Sequence, residues 1–485
     1  MTNDDLTPGA AEGVEVDDGD PGAPLSSSGR GAARTGPTGR ARPTFVVGLG
    51  ASAGGLEALE KFFDHMPPTS GLAFVVVQHL SPDYKSLMVE LLSKHTTMTV
   101  LRAETGTPVE RDTIYLLPPK KNLVIVRGRL ELTEKVQGAG VNLPIDIFFR
   151  SLAADQAEHA IGIVLSGTGS DGMRGVRAIK EAGGLVVAQD PVTARFDGMP
   201  RSAVSTGLVD YVLSPEDMPE QLARYARHLY SSAGLRPMPS GTTDDDGLAE
   251  ILALLRRHSG VDFTHYKPST VHRRIERRMG ISDIHSLPDY ASYVRNTPRE
   301  LAVLYKELLI GVTKFVRDTE GFDVLQRVVL PQLVAEAKLT DTLRIWVPAC
   351  STGEEAYTIA MLLAECMEEA KHYVDVKIFA TDIDRDATEF GGLGVYPDSI
   401  AADLSPERLG RFFTRKGDGY QVNRQLRQMV LFANQNLISD PPFTRLDLAS
   451  CRNVLIYLDA TLQQKVLAGF HFALKPGRFL FLGSS

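Results

Sequence analysis

Two short stretches of this chain hold side chains whose types and spacing fit them for chemistry. The first, Gly48-Leu49-Gly50-Ala51-Ser52-Ala53-Gly54-Gly55, places a small hydroxyl in a glycine-rich turn between an apolar run and an amphipathic one. Glycine allows a tight turn and close substrate approach, and a following helix N-terminus offers unpaired amides to a developing oxyanion. Taken alone, the loop leaves open phosphate or cofactor binding (its leading use), hydrolysis and a structural turn; it lacks the lysine of a P-loop. His79 follows the apolar run at 72–77, and Asp171 ends the turn Ser166-Gly167-Thr168-Gly169-Ser170-Asp171 after the run at 160–165. Each alone suits a structural role, the aspartate as a cap or turn former. Beside a serine nucleophile, however, imidazole can take the hydroxyl proton near neutral pH and a carboxylate can fix its tautomer.

The second stretch is Arg344-Ile345-Trp346-Val347-Pro348-Ala349-Cys350-Ser351-Thr352-Gly353-Glu354-Glu355. Ser351 and Thr352 can cap a helix, and Glu354 and Glu355 suit its first turn. The next apolar run ends in Thr381-Asp382-Ile383-Asp384. An acid at the end of the second strand of a nucleotide-binding unit can accept hydrogen bonds from ribose hydroxyls. That arrangement serves an adenosyl methyl donor or a dinucleotide alike. Arg273, Arg274, Arg277 and Arg278 form two i,i+4 pairs on a predicted helix, an arginine-rich face for docking an acidic protein helix, for ordinary solvation or, least favoured, for nucleic acid.

These residues need elements to position them. Continuous apolar runs at 44–50, 72–77 and 160–165, with an amphipathic stretch at 56–63, predict parallel strands alternating with helices that cover both sheet faces. Each polar insertion then falls at the carboxyl end of a strand, the edge where such sheets place active sites. Runs at 343–347, 376–380, 429–432, 454–457 and 479–482 predict a second strand series, and 248–257, 271–279 and 301–309 predict helices between the two. The fold class is α/β: a doubly wound parallel-sheet domain at 43–230, a small helical subdomain at 248–325 and a Rossmann-like domain at 326–485. The leader at 1–42 has too little apolar surface to offset the entropy of ordering and is expected to be disordered. Pro237, Pro239 and the acidic run Asp244-Asp245-Asp246 mark a linker at 231–247. The last apolar run stops just short of Ser485, so the final domain is expected to be truncated.

Composition limits the functions available. The 485 residues suffice for two or three domains, and 52 Lys and Arg against 60 Asp and Glu give a formal charge of −8, unsuited to coating nucleic acid. Cys350, Cys366 and Cys451 form neither a CxxC pair nor zinc-ligand spacing. A reducing, cytoplasmic setting is therefore expected, without a disulfide framework or a metal centre. No apolar stretch reaches membrane-spanning length, and no signal-peptide pattern opens the chain.

Over 43–230 the chain resembles the catalytic domain of the CheB protein-glutamate methylesterases. The resemblance rests on Gly50-Ala51-Ser52-Ala53-Gly54-Gly55, Gln78-His79-Leu80-Ser81-Pro82, Leu117-Pro118-Pro119, the stretch 165–172, Gln189-Asp190-Pro191 and Met199-Pro200-Arg201-Ser202-Ala203. It implies Ser52 as nucleophile, His79 as base and Asp171 as orienting acid, acting on a glutamyl methyl ester through an acyl-enzyme. Thr168 stands where the family commonly has methionine, and the usual phosphoacceptor domain is not expected in the short leader.

From 248 to 485 the chain resembles the CheR receptor methyltransferases. Here the resemblance rests on Ser259-Gly260, Tyr266-Lys267, Arg273-Arg274-Ile275, Arg277-Arg278-Met279, Val312-Thr313, Phe315, Arg317-Asp318, 349–357, 380–384, Asn436-Leu437 and 451–457, with a small β-subdomain near 416–420. It implies S-adenosylmethionine as methyl donor, with Thr313, Arg317, Glu354, Asp382, Asn436 and Leu437 around it and Asp382 as ribose binder. Tyr457 and the face of Arg273, Arg274, Arg277 and Arg278 are expected to meet the acceptor protein. Arg317 is expected to orient or neutralise a carboxylate. Transfer from a sulfonium to a glutamate oxygen needs alignment and exclusion of water rather than a strong base or a metal. Together the resemblances imply a bifunctional signalling enzyme acting on a chemoreceptor-like coiled-coil protein, with no nucleic acid and no membrane insertion. A scaffold that binds partners through enzyme-like domains is the alternative.

Overall fold

A computed structural model of the protein describes residues 42–78, 87–135, 142–233, 242–417 and 419–483. The leader at 1–41, His79, and Pro237 and Pro239 of the expected linker lie outside the described residues.

The first half is built on seven strands: β1 (Val46–Ala51), β2 (Ala73–Gln78), β3 (Thr99–Arg102), β4 (Thr113–Leu116), β5 (Ala160–Val164), β6 (Leu185–Gln189) and β7 (Tyr211–Leu213). They pair in the order β7-β6-β5-β1-β2-β4-β3, every pair parallel. All residues of β1 and β5 are buried, because helices cover both faces, so they read as unbroken apolar runs rather than alternating ones. On one face lie α1 (Gly55–His65), with Leu59, Phe62 and Phe63, and α5 (Met218–Ala233), with Leu222 and Tyr225. The other face is packed by Ile145, Phe148 and Phe149 of α2 (Pro144–Gln156), Val176 and Ile179 of α3 (Met173–Glu181), and Met199 of α4 (Gly198–Ser205). The register sets Gly50 against both Val77 and Val164, and Ala51 against Gln78, so the three central strands end together. A small antiparallel sheet of Thr107–Pro108, Lys121–Val126 and Arg129–Glu134, not anticipated from the sequence, adds Leu123, Ile125 and Leu130 to this second core.

Four helices follow: α6 (Thr242–Ser259), α7 (Pro268–Ser282), α8 (Leu287–Asn296) and α9 (Pro298–Leu309). Ile251, Leu255, Ile275, Tyr290 and Leu304 form their core. Residues 242–247, expected as linker, already belong to α6. Helix α8 was also unanticipated; Ser286 caps it by accepting from the Asp289 amide at 3.2 Å.

The second half carries a five-stranded parallel sheet of β8 (Thr342–Pro348), β9 (Asp375–Asp382), β10 (Val430–Asn434), β11 (Leu446–Cys451) and β12 (Leu474–Leu482), in the order β10-β9-β8-β11-β12. Helix α10 (Glu354–Ala370) packs on it through a long run of buried residues. The hairpin Phe413–Lys416 with Gly419–Val422 forms the small β-subdomain read near 416–420. The strand expected at 454–457 is instead a short 3-10 turn, Leu455–Tyr457, and the strand is β11. Asp447 disguised β11: it is fully buried, yet its carboxylate is satisfied by the Arg344 amide at 3.0 Å and by Lys475 at 2.8 Å. The left-handed φ of 56° at Asn453 breaks the extended path before Val454. Among the described residues no helix is long and apolar enough to cross a membrane.

The arginine face of α7 requires a correction. Arg274, Arg277 and Arg278 are only 2, 2 and 7% exposed, so they present no open docking surface. Arg274 and Arg277 pair with Glu307 of α9 at 3.2 and 2.9 Å, and Arg278 pairs with Glu300 at 2.6 Å. Arg274 also donates to the Lys180 and Glu181 carbonyls, at 3.1 and 3.0 Å, while Arg277 donates to Gly184 and pairs with Asp210. Lys180 completes the cluster, 2.8 Å from Asp210 and 2.7 Å from Glu307. Burial by itself would raise the Asp210 and Glu307 carboxyls, but the surrounding cations hold both below their ordinary range. Arg274 and Arg277 thus seal a joint between the first half and the helical subdomain, Arg278 ties α7 to α9, and Arg273 is left half-buried at the edge.

Candidate active sites

The described part of the first site is assembled by two loops at the shared carboxyl edge of β1 and β5. Ser52 leaves β1 directly, its amide donating to the Ser166 carbonyl at 3.0 Å, and its carbonyl accepts from the Gly55 amide at 2.9 Å. Ser166 is fixed in turn: its amide donates to the Gln189 side chain at 2.8 Å, and its hydroxyl donates to the Ala53 carbonyl at 2.9 Å. At Gly167 an added Cβ would stand 2.8 Å from the Ser52 Cβ and 2.2 Å from the Met199 sulfur. Only glycine lets the two loops approach so closely, and this contact brings the 166–172 loop to Ser52.

Asp171 is 3% exposed and accepts from two backbone amides at the start of α2, Ile145 at 3.1 Å and Asp146 at 2.9 Å. A carboxylate held at a helix N-terminus is favoured by the dipole and rotationally fixed. His79 lies outside the described residues, so the structure shows two of the three sequence-predicted members at one edge.

Sequence reading missed Asp146. This fully buried residue accepts from the Gly175 amide at 2.7 Å, while its other oxygen has no partner among the described residues. Burial, with the neighbouring Asp171 charge, pushes its carboxyl up to about 7. A raised carboxyl contributes stability that is present below the unfolded value near 3.8 and is lost as pH rises through about 7. Asp146→Asn retains an acceptor for Gly175 without a charge to bury. Thermal melts are expected to show this variant gaining several degrees over the parent at pH 8 and clearly less at pH 5; equal gains at both pH values would contradict the assignment.

The second site is a cavity of about 1160 Å³ beyond the carboxyl ends of β8 and β9. Thr313, Arg317, Asp382, Asn436, Leu437 and Tyr457 all line it. Glu354, expected with them, instead lines an adjoining cavity of about 110 Å³, while Glu355 faces the large one. Asp382 ends β9 with its carboxylate accepting from the Ser351 and Asp384 amides at 2.7 and 2.9 Å. Burial raises its carboxyl in spite of those bonds. Ala349 and Ser351 hold left-handed φ values of 53° and 49°, a strained turn that points the Ser351 amide at Asp382. The Ser351 hydroxyl also donates to the Gly311 carbonyl at 2.9 Å, tying the loop to the helical subdomain.

An acid at this strand end, a long cavity and the apolar wall of Leu437 fit the ribose, amino-acid and adenine parts of S-adenosylmethionine. Part of the cavity's wall comes from the first half, including Gly169, Ser170, Arg177 and Glu181. Local sequence patterns carry no signal for that contribution.

Residues 47–222 match the CheB methylesterase family model. Residues 246–309 match the CheR methyltransferase all-alpha domain, and 311–485 its SAM binding domain. An "Uncharacterized 104.1 kDa protein in hypE 3'region" of Rhodobacter capsulatus is 42% identical over 418 residues, which are 82% of this chain and 44% of that protein. The chain thus spans less than half the length of that relative. Chemotaxis protein methyltransferase 1 of Pseudomonas aeruginosa is 35% identical over 240 residues, 48% of this chain and 86% of that one. A Leptospira interrogans protein named "Putative protein-glutamate methylesterase/protein-glutamine glutaminase" is 34% identical over 182 residues, 37% of this chain and 93% of its own. The chain belongs to two families at once, a CheB methylesterase domain fused to a CheR methyltransferase.

Proposed function

We propose that this chain both adds and removes methyl esters on glutamates of a methyl-accepting receptor helix, in the reducing cytoplasm where its three buried cysteines stay as thiols. The observation that carries the reading is the large cavity that gathers Asp382, Arg317 and Tyr457 at one strand edge. S-adenosylmethionine, when bound, supplies a methyl group already activated on a positively charged sulfur. Asp382 accepts from the ribose hydroxyls, with Thr313, Asn436 and Leu437 along the same wall. Arg317 and Tyr457 orient the acceptor carboxylate, which is already ionised near neutral pH and needs no base. In the other domain the Ser52 hydroxyl attacks the ester carbonyl while His79 takes its proton and Asp171 steadies the imidazolium. Methanol leaves with that proton, and water activated by His79 hydrolyses the acyl-enzyme.

The test incubates the full chain with receptor-helix fragments and labelled S-adenosylmethionine, scoring base-labile glutamyl ester and, separately, methanol release from methylated fragments. Asp382→Ala is expected to weaken donor binding by about 10–100-fold, the loss of one or two hydrogen bonds to a charged group, and to leave methanol release intact. Neither product from the parent chain with any receptor fragment would sink the bifunctional reading.

A further inference from the structure

The acceptor end of the methyl-transfer cavity contains a glutamate of the chain itself. Glu181 ends α3 in the methylesterase domain, and its carboxylate forms an ion pair with the Arg317 guanidinium across the domain boundary. It lines the large cavity together with Arg317 and Tyr457, the two residues assigned to the acceptor carboxylate. After burial, the charge of Glu181 is the largest influence raising the Tyr457 hydroxyl.

Its position is built rather than incidental. Arg274, buried in the joint, grips the carbonyls of Lys180 and Glu181 at 3.1 and 3.0 Å, holding the helix end against the cavity wall. One turn earlier, Arg177 donates to the Thr313 carbonyl at 3.2 Å and stands 3.6 Å from Glu354. Side chains of α3 therefore engage the second half at two points, Glu181 at Arg317 and Arg177 at Thr313 and Glu354. A partly exposed ion pair alone is worth little. The weight here lies in chemical identity, because the group on Arg317 is the same carboxylate the enzyme must receive from its substrate.

We propose that Glu181 is a built-in pseudosubstrate: it occupies the acceptor-carboxylate position on Arg317, and a receptor glutamate must displace it before methyl transfer. The inference rests on the methyl-transfer reading above. A competitor tethered in the same chain acts at fixed effective concentration, so it raises the receptor KM without altering the turnover of the bound complex. Methyl-ester hydrolysis at Ser52 does not involve it.

The experiment measures initial rates of labelled methyl transfer against receptor-fragment concentration for the full chain, Glu181→Gln, Glu181→Ala and, as a control, Arg174→Ala. The control removes the neighbouring Arg174–Asp403 pair without touching Arg317. Both Glu181 variants are expected to lower the receptor KM at least fivefold, with kcat within twofold and with donor affinity and methanol release unchanged. Arg174→Ala is expected to keep the parent KM. An unchanged or higher KM in both Glu181 variants overturns the proposal. So does an equal fall in KM for Arg174→Ala, since the effect would then be general loosening between the domains. No transfer by the parent or any variant would remove the methyl-transfer reading itself, an outcome distinct from active enzymes of equal KM.

Discussion

Replacing Ser52 with alanine is expected to reduce methyl-ester hydrolysis by roughly 10⁴-fold or more, leaving the residual that binding and oxyanion contacts supply without a nucleophile. The size of the effect follows from how little else changes. The hydrogen bonds that set the Ser52 turn run through its amide and carbonyl, at 3.0 Å to Ser166 and 2.9 Å from Gly55, and alanine keeps both. Melting temperature and S-adenosylmethionine binding are therefore expected to match the parent while methanol release disappears. Retention of even a tenth of the hydrolytic rate would show that another group attacks the ester.

The largest expected stability effect lies at Arg277, in the joint between domains. Arg277→Ala removes a guanidinium that pairs with Asp210 and Glu307 and donates twice to the Gly184 carbonyl, at 3.0 and 2.8 Å. Of the two carboxylates, each 2% exposed, Asp210 is left with Lys180 and the Val186 amide, and Glu307 with Lys180 and Arg274. Breaking a buried charge network in this way costs about 3–5 kcal/mol, far more than an exposed pair, because the remaining charges stay desolvated.

The pH dependence has a definite sign. Asp210 and Glu307 are depressed in the folded chain, so their contribution is present above the unfolded carboxyl range near 4 and is lost as pH falls through the folded values. Denaturant melts are expected to show the parent–variant gap widest at pH 7 and narrowing below about pH 4. Unfolding of the variant is also expected to separate into two transitions as the domains uncouple. A gap under about 1 kcal/mol at pH 7 would mean that the cluster tolerates loss of its central cation, as a surface network does.

The sequence by itself determined the local elements and the chemistry they carry. Strands such as β1 and β5 are buried on both faces, so their signal is a continuous apolar run that no neighbour alters, and polar residues just past each run had to fall at the carboxyl edge. Ser52, Asp171 and Asp382 were found that way. Local reading failed where a residue's role depends on a distant partner. Asp447 kept β11 out of the apolar-run series, though the resemblance placed a varied strand at 446–450, because its salt bridge to Lys475 forms only when β11 and β12 pair. The i,i+4 spacing of the arginines correctly gave a helical stripe, but spacing cannot tell whether water or protein covers it. Asp210 and Gly184, 67 and 93 residues away from Arg277, turned the stripe into a joint. Tertiary structure alone decided that the two domains close on a shared cavity and that Glu181 reaches Arg317, 136 residues along the chain. Such contacts arise from packing whole helices and sheets together, and periodicity within any one segment holds no record of them.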